Sequence, residues 1–147
     1  MKVTNVMQKD VKTCGLDDTL ESVALMMWNN DCGSAPVIDQ SGTPLGIITD
    51  RDITMSCALN HKPLWELRTR EVTNNRPLYT CNENDDISAA LETLQTHRVR
   101  RLPVVNDAGH LHGLISIDDI VACSQEKMPG MSFQDTMNTL KAVCIHH

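Results

Sequence analysis

The sequence predicts a mixed α/β fold made of two copies of one unit followed by a tail helix. Residues Thr13 to Ile53 align without a gap on Thr80 to Ile120 at a constant offset of 67, and ten positions are identical. These are Thr13/Thr80, Cys14/Cys81, Asp18/Asp85, Pro36/Pro103, Val37/Val104, Gly42/Gly109, Gly46/Gly113, Ile48/Ile115, Asp52/Asp119 and Ile53/Ile120. Within each copy a helix-period apolar stripe precedes two short apolar runs separated by turn residues, the signature of a helix followed by a hairpin. Each copy, at roughly 50 to 60 residues, would be marginal alone, so the two are expected to form one cooperative module. Function is expected where paired copies create paired sites.

The elements follow in the same order in both copies. A short lead-in, Thr13-Cys14 or Tyr79-Thr80-Cys81, reaches an acidic helix start at Asp18-Thr19 or Asp85-Asp86, suited to the positive end of a helix dipole. The helices bury Leu20, Val23, Ala24 and Met27 in the first copy and Ile87, Ala90, Leu91 and Leu94 in the second, spaced i, i+3, i+4, i+7. Pro36-Val37-Ile38 and Pro103-Val104-Val105 read as buried strands, with proline tolerated at the first strand position. Turns at Asp39 to Gly42 and Asn106 to Gly109 lead to second strands, Leu45 to Thr49 and His112 to Ser116. Each copy closes with a helix, Arg51 to about Leu59 or Asp118 to about Cys123. The division expected from this is a first copy at 1–59, a connection at 60–69, a second copy at 70–124 and a tail at 125–147. Trp65 and Leu67 should pin the connection to the surface. Glu126 to Gly130 read as a breaker, and Ser132-x-x-Asp135 as the cap of a helix that buries Phe133, Met137, Leu140 and Cys144.

A net charge of −6 argues against a sequence-independent nucleic-acid binder, which needs a basic face. It leaves small anions open, because Arg98, Arg100 and Arg101 cluster. No apolar run approaches the roughly 20 residues that span a bilayer. The six cysteines are scattered without a Cys-x-x-Cys pair, and no secretory signal opens the chain, so a reduced cytoplasmic setting is expected. Cys144, His146 and His147 are read as a polar fringe rather than a metal site. His97, His110 and His112 are read as polar surface, and Met26, Met27, Met55 and Met137 as core filler.

The strand-to-helix junctions are Gly46-Ile47-Ile48-Thr49-Asp50-Arg51-Asp52 and Gly113-Leu114-Ile115-Ser116-Ile117-Asp118-Asp119. A hydroxyl at the strand end and an Asp one turn into the helix would share a face with unpaired helix amides that favour anions. The same pattern also suits a simple helix cap. With the Pro-Val-x-Asp/Asn-x-x-Gly stretches, a lead-in helix ending Asn5-Val6-Met7, and Val99 to Val105, these junctions make residues Val3 to Ser124 resemble a tandem pair of cystathionine-β-synthase-type (CBS) domains, a Bateman module of the stand-alone bacterial type.

The resemblance implies two β-α-β-β-α repeats packed through their sheets with pseudo-twofold symmetry, and two equivalent clefts that bind adenosine nucleotides. In the family the junction Asp holds the ribose hydroxyls, the Thr or Ser meets ribose or phosphate, and residues before the proline and on the lead-in strand line the base pocket. By position this implies Asp52 with Thr49, Gly33, Ser34, Ala35 and Thr13, and Asp119 with Ser116, Arg100, Arg101, Leu102 and Thr80. Arg51 and Asp118, next to the two aspartates, complete the candidate set, although Arg51 also suits an exposed pair with Asp50 or Asp52. The expected function is a non-catalytic sensor of AMP, ADP or ATP, with no obligatory cofactor. It would be a homodimer acting on an unidentified partner protein, without nucleic acid or membrane. Gly33-Ser34 against Arg100-Arg101 implies unequal affinities at the two clefts. The alternatives are a dimerisation module with empty clefts, or binding of S-adenosylmethionine instead. A small hydrolase using Asp118, Asp119 and a metal is a third reading.

Overall fold

The computed structural model describes residues 1–73, 76–124 and 132–144. They fall into two compact units, Val11–Leu78 and a second that joins Met1–Asp10 to Tyr79–His147. The spatial division therefore differs from the linear one: the ten leading residues go with the second copy, and the connection goes with the first.

The unit Val11–Leu78 contains α1 (Leu20–Asn29), β1 (Ser34–Ile38), β2 (Pro44–Thr49), α2 (Asp50–Asn60) and α3 (Arg70–Thr73). Thr19 caps α1 by accepting the Ser22 amide at 3.1 Å, which satisfies an N–H that the helix cannot. Leu20, Val23 and Met27 are buried as their spacing predicts, with Ala24 at the margin, and they share a core with Val37, Ile48 and Leu67. The two strands pair antiparallel from Ser34↔Thr49 to Val37↔Gly46. Asp39 closes their turn by accepting the Ser41 hydroxyl at 2.8 Å and the Ser41 and Thr43 amides at 2.9 Å each. Those bonds, the Ser41 hydroxyl foremost, hold its carboxyl below the usual range. Gly42 completes the turn at φ +88°, a conformation that a side chain would oppose.

Pro36 and Pro103 stand third in their strands, not first. The Pro36 carbonyl accepts from the Cys14 amide at 3.1 Å, so its ring nitrogen faces that same flank, where the lead-in strand is a single bridge to Val37. The missing donor thus falls away from β2. In the connection Leu67 is fully buried and pins the chain, while Trp65, expected to help, is 62% exposed. The Thr69 amide and hydroxyl both donate to the Asp18 carbonyl, at 2.9 and 3.1 Å, tying the connection to the start of α1.

The second unit contains β3 (Cys81–Asn82), α4 (Ile87–His97), β4 (Arg101–Val105), β5 (Leu111–Ser116), α5 (Ile117–Ser124) and α6 (Phe133–Val143). Its sheet has the order β3-β4-β5, the first pair parallel and the second antiparallel. Asp86 caps α4 through the Ser88 amide, and Ile87, Ala90, Leu91 and Leu94 are buried as their spacing predicts. The leading residues form one 3₁₀ turn, Val3–Asn5, rather than a helix to Met7, and Val3, Val6 and Met7 complete this core.

Helix α6 is capped by Ser132 as the Ser-x-x-Asp pattern implies, its Oγ accepting the Asp135 amide at 3.0 Å. It packs on α4 and α5, but with the unexpected face. Thr136 and Thr139 are buried, whereas Phe133 is 75% exposed and Met137 and Cys144 are exposed. The threonine hydroxyls donate back to the Ser132 and Asp135 carbonyls at 3.4 and 2.9 Å, so burial strands no polar group. Met55 is likewise exposed, so of the four methionines expected in the core Met27 is buried and Met26 lies at the margin. No helix of the described residues is long and apolar enough to cross a membrane. The breaker residues 126–130, with His146 and His147, lie outside the described residues.

Candidate functional site

Each junction is a helix cap with one carboxylate oxygen left over. At α2 the Asp52 amide donates to Thr49 Oγ1 at 3.1 Å, and the Thr49 amide donates to Asp52 Oδ2 at 2.9 Å, a complete capping box. At α5 the Ser116 amide and hydroxyl donate to Asp119 Oδ2 at 2.8 and 2.6 Å, and the Asp119 amide donates to Ser116 Oγ at 3.2 Å. These bonds fix the two carboxylates. Their second oxygens are met by side chains the sequence reading did not single out: Arg76 Nη1 reaches Asp52 Oδ1 at 2.8 Å, and Gln8 Nε2 reaches Asp119 Oδ1 at 2.9 Å. The ion pair of Asp52 is thus with Arg76, not with neighbouring Arg51. A signal for Arg76 was present, because it is the only Lys or Arg between Arg70 and Arg98. Gln8 carries no comparable local mark.

The junction glycines serve these crossing segments. A Cβ on Gly113 would lie 2.6 Å from the Gln8 carbonyl and 2.7 Å from Met7 Sδ. Only glycine lets the Gln8 backbone pair with Leu114, whose amide and carbonyl it bonds at 3.0 and 2.9 Å. At Gly46 the nearest neighbour of a Cβ would be Thr73 Cγ2 at 3.3 Å. That contact is side chain, so it is more forgiving.

Residues before each proline close on the helix start. The Gly33 carbonyl accepts the Asp50 amide and the Arg100 carbonyl accepts the Ile117 amide, both at 3.0 Å. On α2 the Arg51 amide donates to Asp50 Oδ1 at 2.8 Å. With the Asp50 and Asp52 amides also bonded, the first three amides of α2 are satisfied within the chain, which corrects the expectation of free amides for an anion there. Attraction for a phosphate at this junction falls to side chains.

Ala35 and Leu102 are fully buried in the two cores, so only their backbone can face a ligand. Ser34, Thr49 and Ser116 are half-buried, as is Arg101, while Gly33, Arg51, Arg100 and Asp118 are exposed. Gly33 borders a hollow of about 490 Å³ beside α1 and α2, with Met27, Trp28, Cys32, Asp50 and Ile53. Thr13 lines a different hollow, with Asp17, Asp39 and Arg70, so the two do not share a pocket within this unit. Thr80 is exposed just before β3.

The remaining polar candidates have structural partners. His112 Nδ1 lies 3.0 Å from Glu83 Oε2 and its Nε2 3.2 Å from Asn106 Nδ2. His97 stacks on Tyr79, ring centroids 3.7 Å apart. Asp18 and Asp85, identical in the alignment, close the lead-in loops by accepting the Gly15 and Asn82 amides at 2.8 and 2.9 Å. Burial, with the adjacent Asp18 or Asp85, pushes the Cys14 thiol up to about 11 and the Cys81 thiol up to about 12, so both are protonated at neutral pH. Among the described residues no cluster of three His, Cys, Asp or Glu side chains is placed to hold a metal.

Comparison with known proteins places this architecture. The family model described as CBS domain matches residues 3–58 and 70–126. An uncharacterised protein of Methanopyrus kandleri is 29% identical over 121 residues, 82% of this chain and 61% of that protein. Inosine-5'-monophosphate dehydrogenase of Mycobacterium bovis is 34% identical over 122 residues, 83% of this chain but only 22% of the enzyme. The chain therefore spans less than two thirds of these relatives. Among solved structures, the CBS domain pair of protein MJ0100, in complex with 5'-methylthioadenosine and S-adenosyl-L-methionine, superposes with a TM-score of 0.72 at 22% identity, covering 87% of this chain and 98% of that one.

Proposed function

The chain belongs to the CBS-domain family, with two matched copies of the domain, and on that premise we propose that it is a non-catalytic regulatory module that binds adenosine nucleotides at its two Asp junctions. The observation that carries the reading is the division of labour in each carboxylate. Oδ2 of Asp52 and of Asp119 is committed to the cap, while among the described residues Oδ1 is met by an exchangeable side chain. A ribose hydroxyl can take that position, and a charge-assisted bond of this kind contributes on the order of 1.5–3 kcal/mol. The ligands in the MJ0100 complex share adenosine with AMP, ADP and ATP and support the class. Arg76 beside Asp52, with Arg100 just before β4 and Arg101 at its start, favours a phosphorylated ligand over a sulfonium. The setting we propose is cytoplasmic, and the module would pass its ligand state to a partner protein. Nucleotide-dependent melting tests it: a ligand at about 100 times its dissociation constant adds roughly 2.7 kcal/mol of stability. No shift with AMP, ADP or ATP at millimolar concentration would defeat the nucleotide reading.

A second reading, a dimerisation module with empty sites, is favoured by one surface. Leu25, Trp28, Met55 and Leu59 on α1 and α2 are all exposed, Trp28 at 84% and Leu59 at 75%. Their equivalents in the second copy include Glu92, Gln95 and Ala122, on helices that α6 covers. An apolar face present in one copy alone suits an isologous contact with a second molecule, so we place the homodimer there. A homodimer through this face is compatible with loaded sites, and the melting experiment separates a loaded module from an empty one.

A further inference from the structure

We propose that Arg76 makes the Asp52 junction selective for phosphorylated adenosine ligands: it occupies the carboxylate until a ribose displaces it, and then pairs with the ligand's phosphate. The proposal rests on the nucleotide reading above.

Asp52 has one oxygen committed to the Thr49 amide, and Arg76 Nη1 stands at 2.8 Å from the other. A ribose hydroxyl that bonds this second oxygen approaches where the guanidinium already sits, and on this proposal displaces the guanidinium rather than sharing the oxygen with it. The Asp52 side chain is 10% exposed and fixed by the cap, whereas Arg76 is 57% exposed. Arg76 is therefore the partner that turns aside. Displacement leaves a full positive charge in need of an anion, because the guanidinium stays protonated. A 5'-phosphate on the same ligand supplies one. Adenosine and 5'-methylthioadenosine supply none, and the sulfonium of S-adenosylmethionine adds a second positive charge. The exchange is balanced only for a phosphorylated ligand.

The other junction provides an internal contrast. There the corresponding oxygen, Asp119 Oδ1, accepts from the neutral amide of Gln8. Displacing an amide into water leaves no orphan charge, so this carboxylate does not discriminate by the same route. Two copies with matched caps thus differ in the charge of the group that guards the carboxylate.

The test is calorimetry with AMP and adenosine on Asp119→Ala protein, which silences the second junction, with Arg76 intact, Arg76→Met and Arg76→Lys. With Arg76 intact AMP should bind more tightly than adenosine. Arg76→Met should strengthen adenosine while leaving AMP nearly unchanged, lowering the AMP-to-adenosine preference by roughly two- to fivefold, the scale of one partly exposed ion pair. Arg76→Lys should restore part of the preference. An unchanged preference in Arg76→Met, with binding retained, overturns the proposal while the nucleotide reading stands. Equal weakening of both ligands overturns it as well and makes Arg76 a support of the fold. If the Asp119→Ala protein binds neither ligand while wild type binds AMP at one site, the Asp52 junction is not a nucleotide site and the proposal falls with that half of the reading.

Discussion

Gln8 and Asp119 stand 111 positions apart in the chain, yet the Gln8 amide nitrogen lies 2.9 Å from Asp119 Oδ1. Arg76 and Asp52 repeat the arrangement in the other unit. Each junction carboxylate is therefore both a helix cap and the anchor of a segment that crosses it.

That double role sets the outcome of Asp52→Ala and Asp119→Ala. Each should weaken nucleotide binding at its own junction by roughly tenfold to a hundredfold, the loss of one charge-assisted bond. Each should also cost about 0.5–2 kcal/mol of stability through the lost cap interaction. Calorimetry and urea denaturation on the single and double variants check both. A double variant with wild-type affinity and stoichiometry would remove the ribose role.

The two junction glycines should not be equivalent. Gly113→Ala drives a Cβ onto the Gln8 backbone carbonyl and Met7, and should destabilise by about 1–3 kcal/mol. Gly46→Ala meets only the Thr73 side chain and should cost less than about 1 kcal/mol. Equal losses in chemical denaturation would show that the close approach at Gly113 is not what that glycine serves.

Alkaline stability should carry the mark of the buried thiols. The folded values of Cys14 and Cys81, about 11 and about 12, lie above the roughly 8.5 of an unfolded cysteine. Between those values the unfolded chain loses protons that the folded one keeps. Stability from these groups is therefore complete below about pH 8.5 and falls as pH rises through 11 to 12. The melting temperature of Cys14→Ala/Cys81→Ala should decline less steeply over that window than that of wild type.

Self-association should depend on the first copy's helices. Trp28→Glu with Leu59→Glu should yield a monomer in sedimentation at micromolar concentration, with helix content unchanged, because both side chains are mostly exposed in the single chain. Phe133→Glu on α6 should leave the dimer intact. The reverse result would move the contact to α6.

What the sequence disclosed, and what it hid, divides along physical lines. The helix faces of α1 and α4 were legible because each buries a stripe of large apolar residues whose spacing is local information. The caps at Thr49 and Ser116 were legible for the same reason. Helix α6 was misread because burial there fell to Thr136 and Thr139, whose methyl groups and back-bonded hydroxyls satisfy a contact that apolarity alone does not flag. The proline offsets depended on which flank of the strand carries a neighbour, a property of the sheet and not of the strand. Gln8 and Arg76 were missed because nothing near them in the chain names their partners.

The docking of Met1–Asp10 on the second copy bears on how the protein is made. A ribosome releases these residues well before the strand that Gln8 bridges, ending at Ser116, and the helix whose Asp119 it meets. At synthesis rates of about 5–20 residues per second the leading segment waits several seconds without its seat. Val3, Val6 and Met7, all buried in the finished fold, remain exposed through that interval. The stretch Val11–Leu78, contiguous in the chain, is complete well before then. Birth order therefore favours the first copy's unit folding ahead of the other, which assembles only after β5 and α5 have left the exit tunnel, with Val3, Val6 and Met7 open to chaperones in the meantime.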